Sequence, residues 1–141
     1  MSTVIPAPPE QVWEDLAHIS SHVEWMADAE AITFQSERRE GVGTTFETDT
    51  RVGPLRLTDK MVITEWEPGR AMGIRHTGVV TGVGRFTLAE APGRPGATLF
   101  TWEESLEFPA WMGGSLGGRA GKPILTRIWR HNLDNLRRRF E

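Results

Sequence analysis

The chain has neither cysteine nor tyrosine among its 141 residues. Without cysteine there is no disulfide, no thiolate metal ligand and no cysteine nucleophile. No apolar run approaches the roughly 20 residues that cross a bilayer, so no membrane span is expected. The N-terminus lacks the basic-then-apolar pattern of a secretory leader, and the expected location is cytoplasmic. Also missing are a glycine-rich phosphate loop, a His-x-x-x-His metal signature and a nucleophile elbow. Neither a metal nor a cofactor is therefore expected. Gly113-Gly114-Ser115-Leu116-Gly117-Gly118 imitates an anion nest, but lacks the ordered lysine and hydroxyl residue of a nucleotide loop. It reads as a flexible connection or a movable lid.

What is present fits one domain over residues 1–141, large enough to bury a sizeable core without a staple. Six tryptophans stand against no tyrosine, and tryptophan fills cores and lines apolar pockets equally well. The net charge of −3 is unevenly spread. Residues 1–37 hold seven acids and no Lys or Arg, whereas residues 116–141 hold seven bases against Asp134 and Glu141. Either the two ends meet in the fold, or the basic end meets an acidic partner. The basic segment lacks interleaved aromatics and the chain is acidic, so nucleic acid is not an expected partner.

Patterning predicts a short strand at Ser2–Ile5, ended by the prolines at 6, 8 and 9. A helix follows from Pro9 to near His18, with Val12, Trp13 and Leu16 as its buried stripe. Ser21-His22-Val23-Glu24 has capping-box spacing for a second short helix through Trp25 and Met26. From Ala31 the period becomes two. Six strands are expected, at about 31–37, 44–51, 55–66, 71–77, 79–89 and 97–108, separated by Gly- and Pro-rich turns. Short turns impose antiparallel pairing. Leu125, Ile128, Trp129, Leu133, Leu136 and Phe140 then form the stripe of a long amphipathic helix. Its dependable part is expected to begin at Pro123, after three glycines. A fully buried Trp129 would cost about 3–5 kcal/mol to truncate.

Arg75 and His76 are the most informative polar pair, because neighbours on a strand face opposite ways. Only one can face an interior. His76 inward would be an acid or base near neutral pH, or a histidine bonded to a buried neighbour. Asp59 and Glu65 share a strand and a parity, while Glu103 and Glu104 alternate. Any of these, turned inward, is a candidate general acid. Trp25, Met26, Trp66, Trp102, Trp111 and Met112 are candidates to line an apolar ligand cavity. Residues 108–112 lie where its entrance is expected.

The element order, together with residues 6–13 (Pro-Ala-Pro-Pro-Glu-Gln-Val-Trp), Trp25 and residues 62–70 (Val-Ile-Thr-Glu-Trp-Glu-Pro-Gly-Arg), resembles the START-like or Bet v1-like (SRPBCC) superfamily. The resemblance is to its polyketide cyclase/dehydrase branch and covers nearly the whole chain. It implies an α+β helix-grip fold, a curved antiparallel sheet of six to seven strands around the C-terminal helix, enclosing a hydrophobic cavity. It also implies Trp25, Met26, His76, Trp102, Trp111, Met112 and Leu116 as cavity residues. No catalytic constellation transfers. The short first strand leaves a sheet edge less covered, so a homodimer is conceivable.

Three functions follow. The first is binding of a small hydrophobic, aromatic or amphipathic molecule; the second, a polyketide-type cyclase or dehydratase; the third, a regulatory or protein-interaction domain. A polar group beside His76 or Arg75 in an open cavity would favour the enzyme. A wholly apolar cavity would favour carriage, and a filled interior would favour interaction.

Overall fold

The computed structural model describes residues 1–112 and 114–141, and the side chains of these outside 112–120. The elements run β1 (Ser2–Ile5), α1 (Pro9–Leu16), a 3₁₀ helix (Ile19–Glu24), β2 (Ala29–Phe34), β3 (Thr45–Val52), β4 (Leu55–Glu67), β5 (Ala71–Thr77), β6 (Thr81–Glu90) and β7 (Thr98–Glu107). A 3₁₀ turn at Ala110–Met112 and the helix α2 (Gly114–Arg138) complete the chain. The strands form one open, curved sheet in the order β1-β7-β6-β5-β4-β3-β2, antiparallel throughout. This is a helix-grip α+β fold. None of the described helices is long and apolar enough to cross a membrane.

Local chemistry explains the start. Proline at the first position of α1 forfeits no helical bond, and Val12, Trp13 and Leu16 turn inward as their spacing requires. The second short helix is 3₁₀ and begins after His18, three residues before the expected cap. Ser21 is no N-cap; its hydroxyl instead donates backward, at 2.7 Å, to the His18 carbonyl.

Two bulges re-aim strand faces. One lies between Ala29 and Ala31, the other between Ile63 and Glu65. The second makes Thr64 an extra residue, so side chains beyond it change parity. Ile63 and Trp66 therefore both point inward, and Trp66 packs edge-on against Trp13 at 5.1 Å. Glu65 is turned outward and accepts from Arg85 Nε and Nη2 at 2.8 and 3.0 Å.

The helix α2 is anchored by Leu133 and Leu136, both buried in the core with Trp25, Phe100 and Trp102. Asn132, fully buried, closes the junction between the 3₁₀ helix and β2. Its amide oxygen accepts from Ala27 N–H at 2.9 Å, and its Nδ2 donates to Asp28 at 2.9 Å. The helix begins at Gly114, so Pro123 lies inside it and not at its start. Proline removes one donor there. Lys122, Pro123 and Ile124 are all exposed. The ends of opposite charge do meet: Arg139 donates to both Asp15 oxygens at 2.8 and 2.6 Å.

Candidate functional site: a cavity with an Asp–His–Glu wall

Between the concave face and α2 lies a cavity of about 360 Å³, within the usual size of small-molecule pockets. Alternation along each strand supplies its apolar lining: Phe46 from β3, Met61 and Ile63 from β4, Ile74 from β5, Phe86 from β6 and Leu106 from β7. Leu125 and Trp129 face it from α2.

One wall is polar. His76 on β5 is the inward member of its pair, 6% exposed, while Arg75 points to solvent. His76 Nδ1 lies 2.9 Å from Asp59 Oδ2, and Nε2 lies 3.1 Å from Glu104 Oε2. Asp59 is a diagonal neighbour on β4, since His76 is opposite Met61. Glu104 stands on β7, with β6 in between, and must reach across an intervening strand. Two glycines permit this. Gly82 is opposite His76 and Gly84 is opposite Glu104, so no β6 side chain separates them. A Cβ on Gly84 would sit 2.7 Å from both Glu104 carboxylate oxygens. Gly82 is also required for its backbone: its φ is +135°, and a Cβ would lie 1.9 Å from the Ser105 carbonyl oxygen.

A neutral imidazole donates from one nitrogen only, yet both nitrogens here meet a carboxyl group. Burial alone pulls the His76 pKa down, but the two hydrogen bonds and the two negative charges prevail and raise it to about 9. At neutral pH His76 is thus an imidazolium donating to both neighbours. Glu104 is held a second time, its Oε1 accepting from Trp102 Nε1 at 3.1 Å. Asp59 is less complete. Its Oδ1 is buried and has no hydrogen-bond partner among the described residues.

Gly84→Ala is expected to displace the Glu104 carboxylate, because the clash falls on a flexible side-chain end that can move away. Loss of that partner should lower the His76 pKa by about one unit or more. A histidine NMR titration checks this; an unchanged midpoint would mean that Glu104 does not hold His76.

Across the cavity, buried His22 behaves oppositely. Its Nε2 donates to the Leu16 carbonyl at 2.8 Å. Burial among Trp25 and Phe86, at 5.4 and 6.1 Å, pushes its pKa down to about 4. It is therefore neutral at pH 7.

The chain matches a known group. Residues 1–141 match the family described as polyketide cyclase/dehydrase and lipid transport. The chain belongs to that family. No curated protein matches this chain in sequence. Solved structures resemble it in fold. A Thermus thermophilus protein is 17% identical with a TM-score of 0.76, covering 99% of this chain and 94% of its own. The Zhui aromatase/cyclase from Streptomyces sp. R1128 is 16% identical with a TM-score of 0.73, covering 97% and 88%. XoxI from Bacillus cereus is 16% identical with a TM-score of 0.76, covering 99% and 92%.

Within this family member the sequence candidates fall in different places. Met26, His76 and Trp102 line the cavity. Trp25 is fully buried behind it, edge-on to Trp102 at 6.0 Å, with its indole nitrogen unpartnered among the described residues. Trp66 packs on Trp13, Arg75 is exposed, and Trp111 is 72% exposed. The side chains of Met112 and Leu116 lie outside the described residues. Trp129 is only partly buried and borders open space. Trp129→Ala should therefore cost about 1–2 kcal/mol in reversible unfolding, below the usual cost for a filled core site. A loss above about 3 kcal/mol would show that the cavity is packed shut.

His22 and the pairing of Glu104 with His76 were not read from sequence. The alternation of Gly82 and Gly84 on one strand was the available signal, because glycine in a strand marks a close approach.

Proposed function

We propose that this protein binds a small hydrophobic or amphipathic molecule in the sheet–helix cavity. The observation that carries this reading is an apolar cavity of about 360 Å³ with Asp59, His76 and Glu104 gathered on one wall. The apolar body of a ligand would displace water from the lining, and its polar end would meet Asp59, His76 and Glu104. Trp102 and Trp129 both border the space. Titration with flat hydrophobic compounds should therefore change tryptophan fluorescence saturably. A flat response across a chemically diverse panel would count against the reading.

A second reading is a cyclase or dehydratase. A histidine paired with two carboxyl groups inside an open cavity favours it over simple carriage. With its pKa at about 9, His76 would serve as a proton donor at neutral pH, not as a base. In that case His76→Gln should abolish turnover of a bound substrate while leaving its affinity within a few-fold.

A further inference from the structure

We infer that the ligand of this cavity carries a neutral hydrogen-bond donor, such as a hydroxyl, at its polar end, and that carboxylates are excluded. The inference rests on the binding function proposed above and concerns the chemistry of its wall.

Among the described residues lining the cavity, the cationic groups are His76 and Arg85. Both are already engaged. His76 gives one N–H to Asp59 and the other to Glu104. Arg85 gives two to Glu65 on the outer face of the sheet. Among the described residues no cation is left over for a ligand carboxylate, which would instead enter beside two protein carboxylates and only one compensating charge. Desolvating an anion without a partner is costly, and like charges at this range add to that cost.

The strongest unused capacity around the cavity is for accepting. Among the described residues Asp59 Oδ1 has no partner. Each engaged carboxylate oxygen keeps a further lone pair, since an ionised carboxylate has about four acceptor sites. His22 donates through Nε2 to Leu16, and in its neutral form Nδ1 is left as an acceptor. Asp28 accepts from Asn132 and retains lone pairs as well. On the donor side stand the Trp129 indole and the hydroxyls of Thr48 and Thr50, which accept as readily as they donate. A hydroxylated ligand matches this inventory. A carbonyl or ether oxygen, which only accepts, meets carboxylate oxygens and gains nothing from them.

The test compares three compounds with one apolar body, naphthol, methoxynaphthalene and naphthoate, each substituted at the same ring position. Their dissociation constants are measured by titration calorimetry on the full chain at neutral pH. Naphthol is expected to bind at least fivefold more tightly than either of the others. A smaller margin against either one overturns the inference. If none of the three binds, the binding function itself fails and takes the inference with it. Asp59→Asn and Glu104→Gln each place an amide donor on the wall, and at least one should halve the margin over methoxynaphthalene. A margin unchanged in both variants, each with an intact unfolding transition, would overturn the assignment to these carboxylates.

Discussion

His76→Leu is expected to cost about 3–5 kcal/mol at neutral pH, because it removes the charge that compensates two buried carboxyl groups. Glu104, with 8% of its side chain exposed, would keep only the Trp102 N–H. Asp59, 15% exposed, would keep nothing, since its Oδ2 loses His76 and its Oδ1 has no partner. The cost comes from that stranded charge, not from lost packing, as leucine fills similar space. One consequence separates this cause from a simple cavity effect. The loss should fall below about 1 kcal/mol when Asp59→Asn and Glu104→Gln are already present, because the neutral amides no longer need the imidazolium. Urea unfolding of the four proteins measures this. A loss below about 1 kcal/mol in the otherwise unchanged chain at pH 7 would contradict the account.

Stability should also pass through a maximum near pH 6.5, bounded by two histidines of opposite behaviour. His76 has an ordinary pKa near 6.5 when unfolded and about 9 when folded. Between those values the folded chain holds a proton that the unfolded chain has released. Its stabilisation is therefore complete below pH 6.5 and is lost as pH rises toward 9. His22 has a folded pKa of about 4. Between 4 and 6.5 the unfolded chain binds the extra proton, so stability is lost as pH falls through that window. Each pH unit of difference corresponds to about 1.4 kcal/mol, so each limb amounts to on the order of 3 kcal/mol. The alkaline limb is the cleaner one to measure, because acid also protonates many surface carboxylates. His76→Gln should flatten the alkaline limb and leave the acid limb in place. An alkaline limb that survives this substitution would assign it to another group.

Much of the fold was legible in the sequence because its punctuation is strong. Glu67-Pro68-Gly69-Arg70 and the Pro92–Gly96 segment separate strands whose alternation is plain, and Ala71–Thr77 has the expected bounds. The bulges were not legible. An extra residue such as Thr64 leaves no local mark, so parity alone put Asp59 and Glu65 on one face, and the structure puts them on opposite faces. The face taken by His76 was likewise undetermined, since period two says only that Arg75 must take the other. What settled it was long-range register: Asp59, Gly82, Gly84 and Glu104 on neighbouring strands make a place where a charged imidazole is satisfied. Pro123 misled for a related reason. Its local cost is real, but it falls on the exposed side of a helix that Leu133 and Leu136 hold in place from beyond it.

The central claim is that a protonated His76, clasped by Asp59 and Glu104, forms the polar wall of a cavity that takes a ligand. Imidazole-selective NMR at pH 7.5 tests this directly, with exposed His18 as an internal reference. The account predicts an imidazolium at His76 with two protected ring N–H signals, both moving saturably as naphthol is added while those of His18 stay still. A neutral His76 ring at that pH, or His76 signals that do not move while the protein stays folded and naphthol is in excess, would contradict it.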